Sequence, residues 1–246
     1  MLTSRRGLNI VKTRCAVEAH NGKIGETNMI RKALVAGLAT AALSAPAIAE
    51  EVTVSGNVAV STEYVWRGVS QSDGDIAISG GFDLESGGFY AGTWLSNVDF
   101  NDASDTNIEW DIYAGYAGEF EGGVGYDIGM IYYMYPDADD LDYDFLEIYG
   151  GLSYEFANGP SVAGTVYWDP DNETIYLDTG VEFAVSETVS LGAVFGAYLD
   201  GFDEYTNWGF GGSWASPVGL DLSLYYYDND LDGGDDAIVF SVAKSL

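Results

Sequence analysis

Asp144 to Trp168, DFLEIYGGLSYEFANGPSVAGTVYW, alternates in polarity on both sides of a turn. One phase reads Leu146, Ile148, Gly150, Leu152, Tyr154, Phe156; the other reads Glu147, Tyr149, Gly151, Ser153, Glu155. Successive side chains of a strand point to opposite faces, so the segment has one apolar face and one carboxylate-bearing face. Asn158-Gly159 closes a tight turn, after which Val162, Gly164, Val166 and Trp168 alternate with Ser161, Ala163, Thr165 and Tyr167. The rest of the chain from residue 50 reads as this hairpin repeated around a ring.

Outward from that hairpin, the pattern predicts twelve strands: Val52–Arg67, Asp75–Glu85, Phe89–Val98, Asn107–Phe120, Val124–Tyr135, Asp144–Phe156, Ser161–Trp168, Thr174–Val185, Val189–Tyr198, Tyr205–Ala215, Leu220–Tyr227 and Ala237–Leu246. Short turns follow every second strand, at 86–88, 121–123, 158–160, 186–188 and 216–219. Between them lie mostly longer acidic connections at 69–74, 99–106, 136–143, 169–173, 199–204 and 228–236. This predicts an all-β fold, a closed antiparallel up-and-down transmembrane β-barrel with short periplasmic turns and longer external loops.

The acids hold one phase. Glu63, Asp83, Glu109, Asp111, Asp127, Glu147, Glu155, Asp178, Glu182 and Asp221 alternate with Val58, Ile78, Phe82, Ile112, Ile128, Leu152, Val181, Leu191 and Phe195. A one-residue slip would exchange the two faces, so register is strongly specified. Charge on a lipid face is costly, so in a membrane barrel the acidic phase faces a wet lumen. Lys244 alone sits on the apolar phase, close enough to the end for its stem to reach the interface. Alternation by itself also suits a soluble barrel or sandwich with the apolar face inward. Three features favour the membrane. Aromatics crowd the strand ends beside the long loops (Tyr64, Trp66, Trp110, Tyr132, Tyr133, Tyr135, Trp168, Tyr198, Trp208, Tyr225, Tyr226, Tyr227). A thinner set (Phe89, Phe120, Phe156, Phe183, Trp214) flanks the short turns. The last strand stays apolar to its end.

The 246-residue chain begins with a segment of another kind. Met29-Ile30-Arg31-Lys32, the apolar run Ala33–Leu43 and Ala47-Ile48-Ala49 have the layout of a secretory signal peptide over residues 29–49. Residues 1–28 then read as an upstream extension, and residues 50–246 as the barrel. Of nine basic residues only Arg67 and Lys244 follow the cut; of 39 acids only Glu18 and Glu26 precede it. So acidic a surface excludes nucleic acid as a partner. Cys15 and His20, the sole cysteine and histidine, lie before the cut. That removes Ser-His, Cys-His and zinc-histidine chemistry, and we expect neither enzyme nor cofactor. Asp228-Asn229-Asp230-Leu231-Asp232-Gly233 matches half of a calcium loop, but Val239 stands where the bidentate glutamate belongs. It and Asp137–Asp144 read as solvated loops, suited to weak divalent bridging toward lipopolysaccharide.

The segment Val54–Gln71 (VSGNVAVSTEYVWRGVSQ), with Gly88–Phe100 (GFYAGTWLSNVDF) and Phe240–Leu246 (FSVAKSL), resembles the TorF family of porins. The resemblance implies a bacterial outer-membrane barrel with a channel role; Leu246 departs from the terminal phenylalanine common in such barrels.

The predicted lumen residues are Glu63, Arg67, Asp83, Glu109, Asp111, Asp127, Glu147, Asp178, Glu182 and Asp221, a set that prefers cations if the passage is open. Tyr113, Tyr149, Tyr167, Tyr176 and Tyr225 would fill it otherwise. Arg67, at the outer end of the first strand, is expected either to pair with Glu63 and Asp83 at a constriction or to form an ion pair closing the wall between first and last strands. The leading reading is a channel for small hydrophilic solutes, with outer-membrane lipid, lipopolysaccharide and the barrel-assembly machinery as partners. A closed structural barrel acting through acidic loops, and a secreted soluble β-protein, remain as alternatives.

Overall fold

A computed structural model describes residues 52–102, 106–138, 143–157, 159–201 and 204–246. The segments expected to be an upstream extension and a signal peptide, and Asn158 of the founding turn, lie outside these residues. The wall consists of β1 (Thr53–Ser61), β4 (Ala77–Ser86), β5 (Phe89–Asn97), β6 (Ile108–Glu119), β7 (Val124–Met134), β8 (Phe145–Glu155), β9 (Ser161–Asp169), β10 (Thr174–Ala184), β11 (Val189–Asp200), β12 (Thr206–Ala215), β13 (Asp221–Asn229) and β14 (Ala237–Ser245). Two short strands, β2 (Val65–Trp66) and β3 (Val69–Ser70), pair only with each other. Each wall strand pairs antiparallel with its sequence neighbour on either side, and β14 returns to β1 with Ala59 opposite Ala243. Closure leaves no sheet edge, which an apolar solvent requires.

Strands of 9 to 12 residues suit the hydrocarbon thickness when tilted. The apolar phase points outward: Ile78, Phe82 and Leu152 are 59 %, 63 % and 56 % exposed. Phe89, Phe120, Phe156, Phe183 and Trp214 belt the short-turn end, and Trp110, Tyr132 and Trp168 the other; all are on the outer surface. The sheet is therefore turned apolar side out, the point that alternation alone leaves open, and an inward apolar core of the soluble kind is excluded. Lys244 is on the outer phase, and its Nζ donates to the Gly219 carbonyl in the turn beside it at 2.7 Å.

The main departure from the predicted elements is in the first strand. Val52–Arg67 is not one strand, because β1 leaves the wall at Ser61, and β4 rejoins it opposite at Ala77. Glu63 therefore lies in a connection rather than on a lumen-facing strand. The intervening residues 62–76 fold as a hairpin into the barrel mouth, where Tyr64, Trp66, Arg67, Gln71 and Ser72 are buried. Tyr64 and Trp66 accordingly do not belong to the outer aromatic girdle, nor do the buried Tyr133, Tyr135 and Tyr198. These rings alternate onto the inner face and pack around the hairpin.

Candidate functional site

The site begins with a turn. Arg67 and Gly68 join β2 to β3 with φ of 47° and 77°, the two positive values a tight two-residue hairpin needs. An arginine in this region is uncommon and costs energy that other contacts must offset. Gly68 has a second reason to be glycine, since a Cβ there would lie 2.6 Å from Asn207 Cβ.

The hairpin is fastened at its base and at its tip. At the base, Ser72 Oγ accepts from the Tyr64 amide at 2.9 Å and donates to the Asp75 carbonyl at 2.8 Å. The Gln71 amide donates to Tyr64 O at 2.7 Å, and the Asp99 amide to Gln71 O at 2.8 Å. At the tip, Asn229 Nδ2 on β13 donates to Gly68 O at 2.6 Å, and Tyr205 Oη donates to Arg67 O at 3.2 Å. On the other side, Tyr64 packs edge-on against Trp94 of β5, and Trp66 lies beside Tyr133 of β7. The hairpin thus touches strands on opposite walls and spans the mouth.

The Arg67 side chain spans the interior to β8. Its Nη2 is 2.8 Å from both carboxylate oxygens of Glu147, and both side chains are 2 % exposed. Tyr198 Oη accepts from Nη1. The guanidinium carbon lies 3.9 Å from the Tyr176 ring centre, 4.2 Å from Trp66, 5.1 Å from Tyr167 and 5.4 Å from Tyr198. Tyr133 Oη steadies the carboxylate from behind, donating to Glu147 Oε2 at 3.0 Å. The expected partners Glu63 and Asp83 are not the ones found, and the pair does not bridge first and last strands. Leaving the wall at Ser61 carries Arg67 inward, where a bidentate acceptor is in reach.

Glu109 is the second buried acceptor, taking a hydrogen bond from Tyr64 Oη at 2.8 Å and another from Tyr135 Oη. Asp111 and Asp127 are also buried on inner faces, at 1 % and 3 % exposure. Deeper than Asp111, Tyr90 Oη of β5 meets Tyr149 Oη of β8 at 2.8 Å, crossing between strands that are not neighbours. Asp83 accepts from Tyr113 Oη. Toward the short-turn end the inner face loosens: Asp83, Glu85, Glu182 and Asp221 are half-buried, and Glu119 and Glu155 are exposed. Asp178 lies between the two regimes, half-buried on β10 next to Tyr176 in the inward row. The inner-phase strand acids therefore line one interior, with Glu147 tied to Arg67; Glu63 is set apart.

Sequence reasoning had no means of placing the hairpin. Its signal is Arg67-Gly68, a turn dipeptide between Val65-Trp66 and Val69-Ser70, hidden because the residues before it continue the alternation of β1. The acidic 228–236 connection is used structurally, with Asp230 Oδ1 accepting from the Thr206 amide at 2.6 Å and Oδ2 from its hydroxyl at 2.9 Å.

Over residues 45–244 the chain matches the family described as "Bacterial protein of unknown function (Gcw_chp)". No curated protein matches it in sequence. Among solved structures it is similar to the KdgM porin, at a TM-score of 0.56 and 10 % identity over 78 % of this chain and 97 % of that one. The same porin in complex with disordered oligogalacturonate gives 0.55 at 8 % identity, over 78 % and 98 %. The NanC porin gives 0.51 at 10 % identity, over 76 % and 97 %. At such identities the shared property is the barrel fold.

Proposed function

The chain belongs to the Gcw_chp family, and on that premise we propose that it is an outer-membrane, porin-like channel for small hydrophilic solutes, narrowed at its outer mouth by the 62–76 hairpin. The reading rests on one observation, a closed barrel with its apolar phase outward and its acids inward. Such a wall is stable where lipid is outside and water within. The resemblance to TorF porins fits it, as does a cleavable leader over residues 29–49. The outer band would meet outer-membrane lipid and lipopolysaccharide, and the apolar face of β14 is what the barrel-assembly machinery would handle.

The passage prefers cations. Among the described residues the one basic side chain inside is Arg67, and Glu147 neutralises it. Asp83, Glu85, Asp178, Glu182 and Asp221 leave the remaining lumen negative. An acidic sugar such as the oligogalacturonate held by one structural neighbour is the wrong sign for it. Planar-bilayer recording under a potassium chloride gradient tests this: a cation-selective reversal potential is expected, and anion selectivity would overturn the preference.

The packed hairpin favours a second reading, a barrel closed at the mouth that acts as a surface or structural protein. Liposome swelling with sugars of graded size separates the two. Swelling with the smallest sugars supports a constricted channel; none, from protein shown to be folded, supports the closed barrel.

A further inference from the structure

Arg67 is a ligand that the chain supplies to itself. Four of the groups around its guanidinium belong to the wall rather than to the hairpin: Glu147 on β8, Tyr167 on β9, Tyr176 on β10 and Tyr198 on β11. Together they offer what a planar, delocalised cation needs. Glu147 presents both oxygens to one nitrogen, Nη2, at 2.8 Å. Tyr198 Oη accepts at another nitrogen, and the rings present π faces, Tyr176 nearest at 3.9 Å. Separate acceptors for two nitrogens, beside stacked rings, suit a planar guanidinium better than a compact ammonium, which has one nitrogen to share between them. The cage is also preorganised without its occupant. Tyr133 orients Glu147 at 3.0 Å, and Asn207 Nδ2 on β12 donates to Tyr176 Oη at 2.9 Å.

The occupant, by contrast, is carried on an element separate from the wall. Chain crossings at Ser61 and Ala77 join the hairpin to the wall, and its tip is held from outside the cage by Asn229 and Tyr205. We propose that Glu147, Tyr167, Tyr176 and Tyr198 form a recognition site for guanidinium-bearing solutes, which Arg67 fills in this conformation and from which such a solute displaces the hairpin. The displacement step rests on the channel reading; binding in the cage does not. Competition is a matter of concentration, because a tethered group acts as if present at about millimolar level or above. Guanidinium solutes would thus widen the passage for themselves when abundant, and the mouth would close as they are depleted.

The test uses the whole barrel in detergent micelles with agmatine as the probe. Arg67→Ala empties the cage, and calorimetry should show saturable one-to-one binding at least about ten-fold tighter than in wild type, where the tether competes. Adding Glu147→Gln to that variant should abolish it, and putrescine, which has the same charge but an ammonium in place of the guanidinium, should bind about ten-fold more weakly than agmatine. Agmatine binding that is absent from folded Arg67→Ala, or unchanged by Glu147→Gln, overturns the proposal. Should Arg67→Ala fail to fold, Arg67→Lys keeps the charge but loosens the tether. Agmatine should then bind more tightly than in wild type, and no difference overturns the proposal. Bilayer conductance is read separately. Binding without conductance keeps the cage and removes the channel; conductance in Arg67→Ala without binding removes the cage and keeps the channel.

Discussion

The two ends of the lumen are built from one wall and one alternation, yet they differ in what fills them. At the mouth, Glu109, Asp111 and Glu147 are nearly sealed from water by the hairpin and by rings such as Tyr133 and Tyr135. At the short-turn end, Asp83, Glu85, Glu182 and Asp221 keep partial access, and Glu119 and Glu155 full access. The wall contributes acids at both ends; at the mouth the inserted segment makes them structural. In a barrel, then, the chemistry of an inward carboxylate depends less on its own strand than on whether a connection folds over it.

The largest effect should come from removing a charge partner at the mouth. Glu147→Ala leaves the Arg67 guanidinium buried without its counter-charge, and breaking a buried pair in this way costs about 3–5 kcal/mol. Glu182→Ala, at the open end, should stay within about 0.5 kcal/mol of wild type, as solvated substitutions do. Urea unfolding in micelles measures both, and equal losses would dissolve the distinction between the two ends.

A middle-sized effect concerns how the tyrosines are accommodated. On β11, a Cβ at Gly196 would lie 1.8 Å from Tyr176 Oη, so this glycine is the space in which a cage ring rests. Gly196→Ala must push that ring into the lumen or distort the wall, at a cost of about 1–3 kcal/mol. Gly180→Ala, toward the open end of β10, meets nothing nearer than the Ala193 carbonyl at 3.8 Å. It should be neutral or stabilise by up to about 1 kcal/mol, since glycine in a strand is entropically unfavourable. The same unfolding assay orders the two, and a reversed order would show that the Tyr176 ring is not packed over the glycine.

How much of this was legible can be read from particular residues. Glu147 against Ile148 and Leu152 is enough to define faces, because a period of two admits only two registers. Arg67 was legible as inward but not as carried off the wall on a hairpin. Val65 and Trp66 read equally well as the end of β1 or as one arm of a hairpin, and local alternation carries no information about where a strand leaves its neighbours. Glu63 was misplaced for the same reason. The Arg67–Glu147 pair spans 80 positions in sequence, and no local pattern encodes a contact that exists only after the barrel closes.

The smallest effect lies outside the membrane wall, where the 230–236 connection is pinned to the start of β12. Asp230 accepts from the Thr206 amide at 2.6 Å and hydroxyl at 2.9 Å, and the backbone bond, with the hydroxyl's, holds its carboxyl below the usual 3.8. A carboxylate whose pKa is depressed by folding contributes stability that is full above its unfolded value and lost as pH falls through the folded one. The group is almost fully exposed, so solvent screens the interaction and the effect is small. Comparison with Asp230→Asn isolates it from the many other acids: wild type should have the higher Tm near neutrality, and the gap should close as acid titrates the group. A gap that persisted unchanged below the usual carboxylate range would mean that the loop is held by something other than this charge, and that the mouth is not fastened from its outer side at β12.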